Sequence, residues 1–286
     1  MGDIKAGPFE IEEVTALDML PRPNPDGRHN SDVVVPWANG ADVGGRPEHK
    51  WIIDFGLDTP EAEAALYEAP FEYVRQVVKP VRLRSRSECC RRLWWLHHNR
   101  RPRMGAALGG LRRYVATVRH SKFRLFVWLP AEALPDSALV VFARDDDYSF
   151  GVLHSIAHEL WARGTGTQVR EVESGFRYTP TTCFETFPWP RPTHPQRQSI
   201  VEAAHDLDRL RTGWLNALEV SAGDLAQRTL TNLYNDRPTW LAQAHERLDS
   251  AVLAAYGWPA DMGRDELLAR LLTLNLARAE GTAAAD

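Results

Sequence analysis

The sequence is poor in the residues that staple or anchor a protein. Its three cysteines are the adjacent Cys89 and Cys90 and the distant Cys183, so there is no CxxC pair, no disulfide framework and no cysteine-based zinc site. No run of 18 apolar residues occurs, and the opening MGDIKAGPFEIEE is acidic where a secretion signal would be basic and then apolar. Neither membrane spanning nor Sec export is expected, and a cytoplasmic protein is. Lysine stops at Lys122, so Pro135-Asp136 lacks the downstream lysine of a PD-(D/E)xK nuclease. No GxGxxG lies between a strand and a helix, and neither GxxxxGK[ST] nor NPP[YF] occurs; Asn24-Pro25-Asp26-Gly27 reads as a turn. No catalytic, cofactor-binding or metal-ligating residue is assigned.

What is present is a chain of 286 residues, 44% hydrophobic, long enough for one large domain or a domain with an appendage. The net charge of −4 hides a strong segregation. Residues 81–124 hold thirteen Lys and Arg against one acid, Glu88, interleaved with Trp94, Trp95, Tyr114 and Phe123. A surplus so dense in arginine is what a phosphate-contacting surface needs, although a solvated charged face would look the same. Phosphate contacts are assigned here to Arg100, Arg101, Arg103, Arg112, Arg113 and Arg119, with Lys122 in reserve. Trp94, Trp95 and Trp128 are candidates for stacking on bases, but a Trp pair in a helical run is more often core.

The period of the apolar residues gives the expected elements. Loop-rich sequence with short strands at Asp32–Val35 and Trp51–Phe55 comes first, followed by two short helices broken at Pro70. CCRRLWWLHH and RMGAALGGLRR read as helical, while YVATVR, RLFVWL and SALVVFAR read as three strands of one sheet. A single helix is expected from Tyr148 to Arg163, ended by Gly164. From Gln196 onward the pattern changes to long amphipathic helices. The expected fold is α+β: a mixed sheet with packed helices over 1–192, followed by a small all-α domain over 193–286.

Three clusters invite chemistry and lack its full pattern. His154-x3-His158-Glu159 would need a histidine at Ala162 to form a zinc HExxH. Asp145-Asp146-Asp147 sits where acids favour a helix N-terminus. Cys183 carries no local activating group and reads as a buried structural thiol.

Several strings go beyond composition: NPDGRHNSDVVVPWANG, WIIDFG, ALYEAPFEYV, RLFVWL with VVFARDDDYSFGVLHS, RYTPTTCFETFPWP, LDSAVLAAYGWP and LLARLLTLNLARAE. Together they resemble the C-terminal portion of MmeI-like (type IIL/IIG) restriction–modification enzymes. In these an N6-adenine DNA methyltransferase domain precedes a target-recognition domain and a small helical tail. The resemblance covers essentially the whole chain and implies a DNA target-recognition module without the catalytic domain. S-adenosylmethionine would then sit on a methyltransferase subunit or domain acting as partner, and double-stranded DNA would be the ligand.

In that family the base-reading residues lie just before FETFPWP, in a stretch that reads L-E-S-x-Y-R-Y-S. Here residues 172–179 read V-E-S-G-F-R-Y-T. Glu173 and Arg177 match directly, and Gly175 stands where a charged reader is common. Arg170, Thr165 and Thr167 are further candidates. The chemistry agrees, because arginine grips guanine O6/N7 bidentately and a carboxylate accepts from cytosine N4. The alternative is a non-catalytic fragment or regulatory protein with a structural or protein-docking role, from which salt-dependent DNA binding would distinguish a recognition module.

Overall fold

The computed structural model describes residues 1–168, 176–218 and 220–281. Contacts divide the chain into two units. The first is Met1–Asp42, Pro47–Tyr114 and Trp128–Ala143; the second is Val43–Arg46, Val115–Val127 and Arg144–Asp286.

In chain order the elements before residue 144 are β1 (Glu10–Ile11), α1 (Glu13–Met19), β2 (Val34–Ala38), α2 (Gly40–Gly44), β3 (Trp51–Ile53), α3 (Glu61–Ala64), α4 (Glu68–Tyr73), α5 (Lys79–Leu83), α6 (Glu88–Arg92), α7 (Pro102–Leu108), β4 (Arg113–Val118), β5 (Val127–Pro130), β6 (Leu134–Pro135) and β7 (Leu139–Phe142). One sheet has the order β1-β3-β2-β6, with β3 antiparallel to both neighbours and β6 parallel to β2, and is therefore mixed. Strands β5-β4-β7 form the other sheet, from the three runs expected to share one.

The core of the first unit gathers Phe9, Val34, Ile52 and Ile53 from the sheet side with Val74, Val78, Trp94 and Trp95. Both tryptophans are therefore core, and the Trp95 indole N–H donates to the Thr59 carbonyl at 2.8 Å. The expected helix through CCRRLWWLHH stops at Arg92, because Leu93 leaves helical geometry at φ −108°, ψ 55°. Pro70 does not break a helix. It lies in the first turn of α4, where a missing N–H costs nothing. Pro80 acts instead: the π turn Val74–Val78 immediately precedes α5, and widening the ladder accommodates a ring with no N–H to give.

The second unit carries α8 (Asp147–His154), α9 (Ile156–Thr165), β8 (Thr167–Gln168), β9 (Phe176–Arg177), α10 (Pro180–Cys183), α11 (His194–Leu215), α12 (Ala222–Gln227), α13 (Leu230–Asp236), α14 (Thr239–Ala255) and α15 (Arg264–Ala279). The one helix expected from Tyr148 to Arg163 is two. Ser155 adopts extended geometry between them, and its hydroxyl accepts from the His158 N–H to cap α9. Asp146 caps α8 by accepting from the Ser149 N–H at 2.9 Å, and it also pairs with Arg197 at 3.2 Å, so this aspartate serves the helix end.

Long helices do follow residue 192, beginning with α11. Helices α11 and α14 pack on α8 and belong to the same unit as α8 and α9. Their meeting point is Gly151, where an added Cβ would lie 2.9 Å from Ala204 Cβ, 3.0 Å from Ile200 Cγ2 and 3.2 Å from Leu248 Cδ1. Gly→Ala in an open helix gains about 1 kcal/mol, but overpacking three fixed neighbours costs about 1–3 kcal/mol. Gly151→Ala is expected to lower the stability of the chain by up to about 2 kcal/mol in urea unfolding; an increase in midpoint would show that α8 does not need this close approach.

Candidate nucleic-acid interface

Residue pairing around β9 builds the site in the second unit. Thr167 of β8 stands opposite Arg177 of β9, and Gln168 opposite Phe176. On its other edge Arg177 pairs with His120 in an isolated antiparallel bridge, while the Tyr178 N–H donates to the Arg119 carbonyl at 2.9 Å. β9 is thus held between β8 and the segment that follows β4.

Alternation along β9 decides which side chains are free to reach outward. Tyr178 is buried, and its hydroxyl donates to His158 Nε2 at 2.9 Å. Phe176 lies against Gly166, where a Cβ would approach the ring to 2.3 Å, and it takes the Arg124 guanidinium 5.0 Å from its centroid. Arg177, between these two anchors, projects to the opposite face together with Thr167 and His120, since directly opposed residues share a face. Burial and then the cations of Arg119, Arg177 and Arg124 hold the His120 imidazole below its ordinary pKa, so it is neutral at pH 7 within a cationic neighbourhood.

The other expected site residues fall in different places. Glu173, Gly175 and Arg170 lie outside the described residues. Thr165 donates its hydroxyl to the Trp161 carbonyl at 2.8 Å at the end of α9, whereas Thr167 is exposed. Lys122 is exposed and reaches Asn235 Oδ1 at 3.0 Å. In the first unit, Arg103 and Arg112 are exposed, and Arg113 stacks on Trp128 at 3.7 Å. Arg101 is half-buried, and its backbone N–H donates to Asp3 Oδ1 at 2.9 Å. Arg100 is half-buried and committed to an internal partner, 2.7 Å from Asp54 Oδ2.

Two further members of the basic block spend their guanidinium groups on internal acceptors. Arg82 is 1% exposed, and its guanidinium donates to the carbonyls of Lys5, Ala6, Leu93 and Leu96. Arg124 donates to Thr117 Oγ1, Val118 O and Phe176 O, and burial lowers its pKa to about 10. Sequence reasoning counted these charges without seeing their destinations. It also passed over His120, whose place in the row depends on a pairing that no local pattern announces.

Below the hairpin the two histidines of the HxxxH string are core. His154 Nδ1–H donates to the Phe150 carbonyl at 3.0 Å, and its Nε2 accepts from Arg211 Nη1 at 2.6 Å. His158 Nδ1–H donates to the Leu153 carbonyl at 3.0 Å. His154 must be neutral to accept from a guanidinium, which can only donate. Burial drives the His154 pKa well below its ordinary value and that of His158 to about 3; burial also brings His245 to about 4. Cys183 is buried with its thiol toward the Ala162 carbonyl, as a structural thiol would be.

No family model matches the chain. A curated protein, DNA methyltransferase A of Bacillus subtilis (strain 168), is 29% identical over 146 residues, which are 50% of this chain and 15% of that protein. Among solved structures, the type IIL restriction-modification enzyme MmeI in complex with DNA matches at a TM-score of 0.73 and 19% identity, covering 98% of this chain and 35% of the other. The chain has the fold of that part of MmeI and spans far less than two thirds of either protein. No helix among the described residues is long and apolar enough to cross a membrane.

The neutral histidines fix a pH dependence. Each has a folded pKa below its unfolded value of about 6.5, so its contribution is complete above pH 6.5 and is lost as pH falls toward the folded value. Asp249, raised to about 7 by burial, runs the other way and offsets about one histidine. Stability in chemical denaturation is expected to fall by on the order of 2 kcal/mol per pH unit between pH 6 and 4.5. A flat profile over that window would mean that the imidazoles are charged in the folded state.

Proposed function

We propose that the chain is the sequence-specific double-stranded DNA recognition module of an adenine-specific DNA methyltransferase in a restriction–modification system. It works in the cytoplasm with a methyltransferase subunit or domain that holds S-adenosylmethionine. The observation that carries this reading is the row Thr167–Arg177–His120 on the outward face of an anchored hairpin root, with Arg119 beside it. The likeness to a DNA methyltransferase and to a restriction-modification enzyme solved on DNA supports it.

The division of labour follows from the chemistry. Arg177 offers a planar fork that matches guanine O6/N7 in the major groove, and Glu173 offers an acceptor for cytosine N4. Arg101, Arg103, Arg112, Arg113, Arg119 and Lys122 contact phosphates, which positions the module without specifying sequence. Arg100, already held by Asp54, has less to offer a phosphate. Catalysis is left to the partner.

Selection from a randomised duplex pool at two salt concentrations tests the reading: an enriched motif with strong salt dependence is expected, and retention of no DNA would refute it. On the selected site, Arg177→Ala should cost about 1–3 kcal/mol while leaving binding to unrelated duplexes unchanged. The pair Arg103→Glu and Arg112→Glu should instead weaken binding to every duplex and flatten the salt slope. Equal losses on all sequences for Arg177→Ala would remove it from the readers.

A further inference from the structure

We propose that Asp3, Asp54 and His97 in the first unit form a binding site for one divalent metal ion of the zinc or manganese type, independent of what the hairpin binds. The three come from the first residues of the chain, the residue after β3 and the stretch between α6 and α7. All three are buried, with one potential ligand atom from each lying within 4.8 Å of the others.

The tautomer of His97 supplies the central argument. Its Nε2 lies 3.0 Å from the Ile53 carbonyl, which can only accept, so Nε2 carries the hydrogen. In a neutral imidazole the lone pair is then on Nδ1, and Nδ1 faces Asp3 Oδ2 at 3.7 Å and Asp54 Oδ1 at 3.9 Å. Nδ1 and Asp3 Oδ2 are both buried and have no hydrogen-bond partner. Three electron-pair donors therefore converge at separations too long for hydrogen bonds. A cation about 2.0–2.2 Å from each, with wide ligand–metal–ligand angles, reproduces such separations.

The surrounding groups hold each ligand by its other atom, as outer-shell partners of metal sites do. Asp3 Oδ1 accepts the Arg101 backbone N–H at 2.9 Å. Asp54 Oδ2 takes Arg100 Nη2 at 2.7 Å, and Asp54 Oδ1 accepts the Gly56 N–H at 3.1 Å, leaving a lone pair toward His97. Arg100 Nε lies 3.7 Å from Asp3 Oδ2 and neutralises one of the two carboxylates. One negative charge remains for a dication. One imidazole nitrogen with two carboxylate oxygens suits zinc or manganese better than calcium, which takes six to eight oxygens, or a soft ion, which takes sulfur. A cavity of about 550 Å³ is lined by Asp54, Gly56 and Arg100 and so borders the cluster on its Asp54 side. The bound ion would tie the chain's first residues and the start of α7, which carries Arg103, to the core sheet.

The test uses the full chain stripped with a chelator and dialysed. Titration with zinc, manganese and cobalt chlorides is followed by calorimetry, thermal unfolding and, for cobalt, visible absorption. Binding of one ion per chain, a rise in unfolding temperature and a cobalt spectrum with nitrogen and oxygen ligation are expected. Asp3→Asn keeps shape and should weaken binding by at least the roughly 10–100-fold that loss of an outer-shell partner costs, and His97→Gln should do likewise. Should either variant fail to fold, the wild-type stoichiometry and cobalt spectrum still decide. Absence of stoichiometric binding, or affinity unchanged in a folded Asp3→Asn, would overturn the proposal; the cluster would then be held by a proton on His97 or by a buried water.

Discussion

The second unit depends on two histidines carrying no charge. Arg211 is 2% exposed, and it brings a permanent positive charge from α11 into the core of that unit. Its guanidinium finds the Phe126 carbonyl at 2.8 Å and the lone pair of His154 Nε2 at 2.6 Å. Protonation of His154 would turn that acceptor into a second buried cation at contact distance, which no nearby carbonyl can offset. The same rule governs His158, whose Nε2 lone pair receives the Tyr178 hydroxyl and thereby pins the strand bearing Arg177. One condition, neutral imidazoles with their Nδ1–H groups given to helix carbonyls, thus lets α8, α11 and the root of the hairpin coexist.

The arginines divide into two kinds that composition cannot separate. Arg82, Arg124 and Arg211 turn the terminal nitrogens of their guanidinium groups to acceptors inside the protein, several backbone carbonyls for Arg82, two carbonyls and the Thr117 hydroxyl for Arg124, the Phe126 carbonyl and His154 for Arg211, a task that suits a planar fork better than an ammonium. Arg103 and Arg112 are exposed. Both kinds add equally to a charge count. The basic block was legible as a block; which of its members face solvent was not, because that follows from tertiary neighbours far away in sequence.

The fold was legible where period and turn chemistry act locally. The three strands of the second sheet, the strand pair β2 and β3 and the long helices α11, α14 and α15 all follow from apolar spacing. The misreadings share a cause. Ser155 splits a helix whose apolar period runs on unbroken, because a single hydroxyl captures the His158 N–H. Pro70 was read as a breaker when its position in a first turn makes it harmless, and Pro80 acts through a π turn that has no signature of its own. Asp3, Asp54 and His97 are each unremarkable in their local strings, and only the folded first unit makes them neighbours.

At the hairpin, the two-residue period of a strand joins stability to recognition. Phe176 and Tyr178 face inward and make the contacts that fix β9; Arg177 faces outward and makes none of them. A side chain in such a position can be exchanged without disturbing the anchors, because its neighbours on both sides carry the packing. Gly166 enforces the arrangement from below, since any side chain there would displace the Phe176 ring and with it the register that aims Arg177 outward. An outward-turned row framed by fixed anchors, exposed at Thr167 and His120 and half-buried at Arg177, therefore leaves contact chemistry free to change while the scaffold stays constant, and this is the property that a surface must have if different side chains on one fold are to select different ligands.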